Sequence, residues 1–264
     1  MAGPPLATGG RALITGGTSG IGAAFARELA GRGHDLVLVA RDEARLASTA
    51  ADLSRRYGVE VSTLRADLAI DADLRTVAAR LADQDRPIDV LVNNAGFGLH
   101  HRLTDPDTAP HEHAIAVMIT AVLVLGGAAG AAMRERGHGA IVNVSSTAGL
   151  MTMGGYSAIK AWATSYSQGL AVELAGTGVT VTALLPGWVR TEFHQRAGIR
   201  TGKIPGWLWL DPDVLAARAA DDVVRGRVLS VPTKRYRVLA VVLRHAPAAL
   251  IRRVSATISS SRRR

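Results

Sequence analysis

The stretch RALITGGTSGIG, residues 11–22, decides the fold of this chain. A short apolar run leads into a turn with glycines at positions 16, 20 and 22, and a helical pattern follows at once. Glycine permits a tight turn, and the N-terminus of the helix then offers backbone N–H groups to a pyrophosphate. This order of strand, glycine loop and helix predicts a dinucleotide site rather than an ordinary connecting turn.

The same alternation of strands and helices continues along the chain. Further strand patterns, rich in Val, Ile and Leu, cover residues 34–41, 59–68, 88–96, 139–146 and 179–187. Apolar strands that alternate with helices indicate a parallel sheet covered on both faces. The predicted fold class is therefore α/β, a single-domain Rossmann-type doubly wound parallel sheet with its ligand crevice at the carboxyl ends of the strands.

Composition narrows the function classes. A chain of 264 residues, 48% of them hydrophobic, can bury one sizeable core. It contains no cysteine, which excludes disulfides and cysteine-ligated metals. We expect no metal site, because no carboxylate cluster accompanies His100 and His101. The N-terminus has no long apolar core after basic residues, so we expect a cytoplasmic protein.

The net charge of +9 lies at the C-terminal end. Residues 1–224 contain 20 Lys and Arg against 22 Asp and Glu, whereas residues 225–264 contain 11 Lys and Arg and no acid. Without interleaved aromatic residues, this distribution argues against nucleic-acid binding. We expect residues 1–232 to form the dinucleotide-binding and catalytic domain. Residues 233–264 form a basic amphipathic tail, which either contacts an anionic membrane or packs on its own domain or on a partner subunit.

One segment has the composition of a membrane span. Residues 114–133 contain no charged residue and are long enough to cross a bilayer. The segment falls where the strand and helix alternation requires a helix, however, and it is rich in Ala and Gly. We therefore predict a buried or subunit-facing helix, and with it a homodimer or homotetramer.

Tyr156 and Lys160 are candidates for proton transfer. They lie four residues apart in GGYSAIKAW, so a helix places both on one face. An adjacent ammonium stabilises a phenolate and lowers the pKa of the phenol. A serine hydroxyl from Ser145 or Ser146 could hold a carbonyl oxygen during the transfer. Taken alone, this spacing is weak evidence, because any surface helix can carry it.

Together these motifs resemble the short-chain dehydrogenase/reductase family, from about Arg11 to Pro232. TGGTSGIG is similar to the family's TGxxxGxG cofactor loop, and Asn93-Asn94-Ala95-Gly96 to its NNAG segment. Pro186-Gly187 with Thr191 is similar to its PGxxxT segment. The resemblance implies hydride transfer between a nicotinamide cofactor and a carbonyl or alcohol.

The resemblance also implies roles for individual residues. Tyr156 would donate or accept the proton, Lys160 would lower its pKa and bind the nicotinamide ribose, and Ser146 rather than Ser145 would orient the carbonyl. The implied cofactor-binding residues are Gly16, Thr18, Ser19, Gly20, Ile21, Gly22, Arg41, Asp67, Leu68, Asn94, Ala95, Gly96, Tyr156, Lys160, Pro186, Gly187, Val189 and Thr191.

Cofactor preference depends on Arg41, at the end of the second predicted strand. A basic side chain there can pair with the 2′-phosphate of NADP, whereas an acid would bind the ribose 2′-OH of NAD. The alternative is a solvated strand-end arginine with Asp42 beside it. We favour NADP, with NAD as the second choice.

Two features depart from the family pattern. Met118 falls where the family carries a catalytic Asn, and methionine cannot donate a hydrogen bond as an amide does. The interval from Ser146 to Tyr156 is ten residues, three shorter than the common family spacing. We therefore expect that proton supply uses another route or is slower, and that the pocket is tighter. Met118 also motivates the alternative function, an NADP(H)-binding sensor or scaffold with little turnover.

The expected substrate is a hydrophobic carbonyl compound, such as a lipid-derived ketone, an acyl derivative or a steroid-like molecule. A lid after Gly187 contains Phe193, His194 and the segment 204–210 with Trp207 and Trp209. These tryptophans either line an apolar substrate wall or pack the lid onto its domain. Met151 and Met153 are candidates for the opposite wall.

Overall fold

The computed structural model describes residues 9–99, 101–193 and 205–261. Within these ranges a seven-stranded sheet has the order β3-β2-β1-β4-β5-β6-β7, and all pairs are parallel. The strands are β1 Arg11–Thr15, β2 Asp35–Ala40, β3 Val61–Arg65, β4 Val90–Asn93, β5 Gly139–Val144, β6 Val179–Leu184 and β7 Leu229–Ser230. The strand order reverses between β1 and β4, which opens a crevice at the carboxyl ends of the strands.

Helices cover both faces of the sheet, and this confirms the predicted fold class. They are α1 Gly20–Gly31, α2 Glu43–Tyr57, α3 Asp71–Ala82, α4 Ala109–Ile115, α5 Ala121–Arg136, α6 Gly155–Glu173, α7 Pro212–Val224, α8 Lys234–His245 and α9 Ala248–Ser261. A π-helical turn, Ala116–Thr120, joins α4 to α5, and short 3₁₀ turns cover Thr147–Leu150 and Gly206–Leu208.

Local sequence sets the ends of α2. The carboxylate of Asp42 accepts a hydrogen bond from the backbone N–H of Arg45 at 3.0 Å, which satisfies a free donor in the first turn. Gly58 ends the helix with φ of 70°, a left-handed conformation that favours glycine. A glycine directly after the last helical residue is a common way for a helix to end.

Alternate residues of each central strand belong to two different cores. Ala12 and Ile14 of β1 pack with Phe25 and Leu29 of α1 and with α7. Leu13 points to the other face, where it packs with α3 and α5. Burial on both faces explains why the central strands read as continuous apolar runs.

The uncharged segment 114–133 lies within Ala109–Arg136, the one helix of the described ranges that is long and apolar enough to cross a membrane, by length and composition only. Leu125 and Met133 of this segment are fully buried in the core beneath the sheet. Leu123 and Gly127, by contrast, are exposed. The segment is thus a helix with one side buried in its own domain.

One part of the fold did not follow from the sequence pattern. β7 is only two residues long, too short to produce a recognisable apolar run. In the tail, α8 and α9 are separated at Ala246 and Pro247, and both helices pack partly on the domain.

Candidate active site

The glycine loop between β1 and α1 contains two positions, Gly16 and Gly22, where a larger residue would clash with neighbouring atoms. A Cβ atom on Gly16, whose φ is 66°, would lie 2.9 Å from the side-chain nitrogen of Asn94. A Cβ on Gly22 would collide with the carbonyl oxygen of Gly16. Gly20 also has a positive φ, 54°, and Ser19 precedes α1 as its N-cap residue. The loop therefore turns tightly into the N-terminus of α1, the position at which a helix can bind a phosphate.

Thr15 ties the NNAG segment to this loop. Its hydroxyl oxygen accepts hydrogen bonds from the backbone N–H groups of Asn94 and Ala95, both at 3.0 Å. The side-chain amide of Asn94 donates to the carbonyl oxygens of Thr15 at 2.9 Å and Gly16 at 3.2 Å. Thr15 was not among the predicted site residues, although a polar residue that ends a buried strand was a signal that could have indicated it.

Gly96 ends the NNAG segment against Met118. A Cβ atom on Gly96 would lie 3.0 Å from the sulfur of Met118. Met118 is 1% exposed and lies within the π-helical turn. It packs with Ile159, and the half-buried Tyr156 lies against the same cluster. A thioether therefore occupies the position beside the tyrosine where the family resemblance implies an amide.

The two serines after β5 have different partners. The Ser145 hydroxyl is buried and donates to the carbonyl oxygen of Lys160 at 2.7 Å, and it also contacts the Thr164 hydroxyl at 2.7 Å. The Ser146 hydroxyl instead forms a hydrogen bond with the side chain of Tyr156. It also accepts from the backbone N–H of Ala148 at 3.1 Å. Of the two, Ser146 is the one that lies at the phenol.

Burial shifts the pKa values of Tyr156 and Lys160 in opposite directions. Loss of hydration raises the pKa of the Tyr156 phenol above its ordinary value of 10.0, and the hydrogen bond with Ser146 only partly offsets the rise. Burial lowers the pKa of Lys160 to about 8. The phenol is therefore fully protonated at neutral pH, and the lysine is mostly an ammonium.

The lysine ammonium lies over the ring of the tyrosine. Nζ of Lys160 is 5.7 Å from the centroid of the Tyr156 ring. It donates a hydrogen bond to the carbonyl oxygen of Val144 at 2.8 Å. Ser146, Tyr156 and Lys160 thus meet where β5 and α6 approach each other, and this is the arrangement that the sequence predicted.

Two arginines lie at the end of β2. Arg41 is exposed, and its guanidinium is 3.7 Å from the carboxylate of Asp67. Arg45 of α2 was not predicted: its Nε donates to the carbonyl oxygen of Thr18 in the glycine loop at 3.1 Å. Its Nη2 donates to Glu192 at 2.9 Å, and this hydrogen bond raises the pKa of the guanidinium. Cationic groups therefore lie beside the glycine loop.

The PGxxxT segment reaches from the tail helix to the glycine loop. Any residue larger than glycine at position 187 would overlap with the ring of Tyr236, in α8. The Tyr236 hydroxyl accepts from the backbone N–H of Trp188 at 3.0 Å and donates to the carbonyl oxygen of Leu208 at 2.9 Å. Thr191 lies at the other end, 3.3 Å from the position of a Cβ on Gly20.

The remaining predicted cofactor-binding residues have mainly structural surroundings. Ile21 and Leu68 pack into the two cores on either side of the sheet. Val189 pairs with Leu210 in a short parallel bridge. The carbonyl oxygen of Pro186 accepts from the backbone N–H of Thr147 at 3.0 Å. These contacts position the segments around the crevice.

Apolar side chains surround the tyrosine on the predicted substrate side. The ring centroid of Phe193 is 6.0 Å from that of Tyr156. Met151 and Met153 are half-buried in the short loop before α6. Trp209 packs edge-on against Trp188 at 5.9 Å.

Trp207, unlike Trp209, is exposed. His100, His194 and residue 204 lie outside the described residues. His101 contacts the carbonyl oxygen of Asp107 at 2.9 Å. Across the part of the chain that the structure describes, no group of three or more His, Asp or Glu side chains could hold a metal ion.

Comparisons with known proteins place this geometry in a family. The family model described as short chain dehydrogenase matches residues 11–200. Galactitol 2-dehydrogenase (L-tagatose-forming) of Cereibacter sphaeroides is 32% identical over 233 residues, which cover 86% of this chain and 90% of that protein.

Two solved structures share the fold and are more than 30% identical to this chain in sequence. A short-chain dehydrogenase from Sphingobium yanoikuyae, in complex with NADPH, has a TM-score of 0.81 and 39% identity, with 87% of this chain and 91% of that chain covered. The bulky-bulky ketone specific alcohol dehydrogenase from Comamonas testosteroni has a TM-score of 0.76 and 33% identity, with 87% and 90% covered. With its glycine loop, NNAG segment and Tyr-Lys pair in the order that the resemblance required, the chain belongs to the short-chain dehydrogenase family.

Proposed function

We propose that this protein is an oxidoreductase that transfers a hydride between NADP(H) and the carbonyl or alcohol group of an apolar substrate. The observation that carries the proposal is the Tyr156 side chain, hydrogen-bonded to Ser146 and covered by the ammonium of Lys160. A protonated phenol with a neighbouring hydroxyl and cation is a proton donor next to a site that can hold a carbonyl oxygen.

In the direction of reduction, each residue has a defined task. NADPH, when bound, supplies the hydride that forms the new C–H bond at the carbonyl carbon. Ser146 donates a hydrogen bond to the carbonyl oxygen, and Tyr156 gives its proton to that oxygen as the C=O double bond becomes a single bond. Lys160 stabilises the phenolate that remains, and a solvent proton then restores the phenol. Because burial raises the pKa of Tyr156, the free protein holds the form that reduction needs.

The glycine loop and the arginines beside it fit NADP. Gly16 and Gly22 allow the tight turn that brings the N-terminus of α1 directly after β1, where its backbone N–H groups can meet a pyrophosphate. Arg41 is exposed at the end of β2, where a guanidinium can pair with a 2′-phosphate. The similar Sphingobium protein was solved with NADPH, which supports the same cofactor here.

An apolar ketone, lipid-derived, acyl or steroid-like, fits the surroundings of the tyrosine. Phe193 places an aromatic ring beside Tyr156, and the half-buried Met151 and Met153 lie in the short loop before α6. The similar Comamonas enzyme is specific for bulky-bulky ketones, which supports a large apolar substrate. The short loop between Ser146 and Tyr156 narrows one wall of the pocket.

We further propose a cytoplasmic homodimer or homotetramer that associates through α5 and α6. Leu123, Gly127 and Ala131 are exposed along one side of α5, and Trp162 stacks on Tyr166 at 4.9 Å along α6. Small and apolar residues on two neighbouring helices allow close approach of a second copy. Light scattering of purified protein should give the mass of two or four chains.

We also propose that residues 1–232 form the catalytic domain and that residues 233–264 form the tail.

Turnover with a panel of apolar ketones and aldehydes tests the proposed function. Purified protein should oxidise NADPH with some member of the panel, and Tyr156→Phe should lower kcat by at least about a hundredfold, because a general acid contributes about 10²–10⁴-fold. NADPH binding should survive the substitution.

Met118, in place of the amide, favours the second candidate function, an NADP(H)-binding sensor or scaffold with little turnover. Tight NADPH binding without turnover on the whole panel would support that candidate instead.

A further inference from the structure

We propose that α8 and α9 form a docking surface for an anionic lipid membrane. The inference stands apart from the proposed reaction, because it concerns the outer side of these two helices and not the side that packs on the domain.

The inner side of the tail is held firmly on the domain. In α8, Tyr236 and Ala240 are buried, and in α9 Ile251 and Ser255 are buried. The Ser255 hydroxyl accepts a hydrogen bond at 3.1 Å from the backbone N–H of Thr152, in the loop that precedes Tyr156. Helices α8 and α9 are thus a fixed part of the surface.

The outer side of α8 carries an aliphatic stripe. Val238, Val241 and Val242 are 65%, 58% and 57% exposed. Their spacing of three and four residues places them on one side of the helix, opposite Tyr236 and Ala240. On α9, Leu250 and Val254 repeat the pattern with 52% and 40% exposure. Aliphatic residues in such a row on an outer face indicate a binding surface.

The charges around this stripe indicate what binds there. The basic residues of the two helices are Lys234, Arg235, Arg237, Arg244, Arg252 and Arg253, and no acidic residue occurs in residues 225–264. Arginines beside an aliphatic stripe suit a bilayer, with the guanidinium groups at anionic headgroups and the valines at the acyl boundary.

Other occupants fit this surface less well. A second copy of the chain would bring the same positive charge against itself, which opposes association. A nucleic acid would need exposed aromatic side chains for stacking, but the aromatic residue of α8, Tyr236, is buried. An anionic lipid surface can bind both features, because its headgroups attract the arginines and its acyl region accepts the aliphatic stripe.

Vesicle flotation of the full-length protein tests the proposal. The protein should float with vesicles of phosphatidylcholine mixed with phosphatidylglycerol, and much less with phosphatidylcholine alone, because arginines near an anionic surface are attracted to its headgroups. The double variant Val238→Asp/Val242→Asp should bind these vesicles at least about tenfold more weakly. The variant Arg244→Gln/Arg252→Gln should weaken binding to anionic vesicles and leave weak binding to neutral ones unchanged.

A matched control places the same chemical change elsewhere. Ile70 is an exposed aliphatic residue before α3, and Ile70→Asp should float like the unmodified protein. Thermal melting should show that all variants are folded, since the substituted side chains point outward. Absence of flotation, or equal flotation of the valine double variant, would overturn the proposal. A lower oligomeric mass of that variant without vesicle binding would show instead a subunit contact, which also overturns it.

Discussion

Ser145 and Ser146 are neighbours in the sequence, but their side chains form hydrogen bonds with different partners. Ser145 is bound to α6 through Lys160 and Thr164, whereas Ser146 is bound to Tyr156. Because side chains alternate in extended backbone, adjacent residues of this kind face opposite ways. One serine therefore supports the helix that carries Lys160, and the other faces the Tyr156 phenol.

A pair of alanine substitutions should separate these roles. Ser146→Ala should lower kcat by about a hundredfold or more, the cost of losing one donor to a developing oxyanion, with little change in the free energy of unfolding. Ser145→Ala should retain most of the activity and lose about 1–3 kcal/mol of stability, because the carbonyl oxygen of Lys160 and the Thr164 hydroxyl lose a buried partner. Steady-state kinetics and urea unfolding measure the two effects, and the reverse pattern would contradict the assignment.

Arg41 is the residue that we expect to determine the preference for NADPH over NADH. Arg41→Asp should raise KM for NADPH by about ten- to a hundredfold, because a charge-assisted hydrogen bond contributes about 1.5–3 kcal/mol. Efficiency with NADH should rise at the same time, since an acid can bind the ribose 2′-OH. Arg55→Asp is the matched control, because Arg55 is also exposed but pairs with Asp52 in α2. Equal efficiency of the unmodified protein with NADH and NADPH would remove the basis of this prediction.

At the scale of elements, the site is built where turns from several strands meet. The β1–α1 glycine loop, the segment after β4 and the serines after β5 all lie at the carboxyl edge of the sheet. The segment after β6 joins them, and Tyr236 of α8 is one of the residues that hold it in place. Helix α8 is therefore part of the scaffold that supports the segment after β6, in addition to its outer surface.

The contact between Gly187 and Tyr236 can be tested by a double-mutant cycle. Gly187→Ala should cost about 1–3 kcal/mol of stability, as overpacking does, and should weaken NADPH binding. In a Tyr236→Ala background the same substitution should cost much less, because the ring that meets the new methyl group is absent. Gly206→Ala is the control, since a Cβ there would meet no atom within 4 Å. Additive costs in the cycle would argue against the contact.

At the scale of the whole molecule, a buried histidine makes stability depend on pH. His34, between α1 and β2, is fully buried, and neither ring nitrogen has a hydrogen-bond partner in the described residues. Loss of hydration, chiefly, lowers the pKa of His34 below 6.5, although Asp89 and Asp35 act in the opposite direction. The folded protein therefore holds a neutral imidazole where the unfolded chain would take up a proton.

The sign of the effect follows from proton binding. Below pH 6.5 the unfolded state binds more protons than the folded state, so the free energy of unfolding should fall as the pH drops from about 7.5 to about 5.5. His34→Phe should reduce this fall, because it removes the titrating group and keeps the apolar volume. His245→Gln, at an exposed histidine of α8, should leave it unchanged. Urea unfolding across this pH range measures the slope, and equal slopes for His34→Phe and the unmodified protein would contradict the account.

The sequence by itself determined the sheet, the glycine loop and the Tyr156–Lys160 pair. These features depend on short-range rules: apolar runs build buried strands, glycine adopts positive φ, and residues four apart share one side of a helix. Such rules act within a few residues, so a pattern of letters is enough to reveal them. The family resemblance added their order along the chain.

The tertiary structure decided the contacts between distant segments. Ser146 rather than Ser145 meets the phenol, Thr15 binds the NNAG segment, and Tyr236 fills the space beside Gly187. The hydrogen bond between Thr152 and Ser255 joins residues 103 positions apart. No local periodicity encodes these pairs, because they depend on how whole elements pack against one another. For the same reason, only the packed tail reveals that its valines face outward.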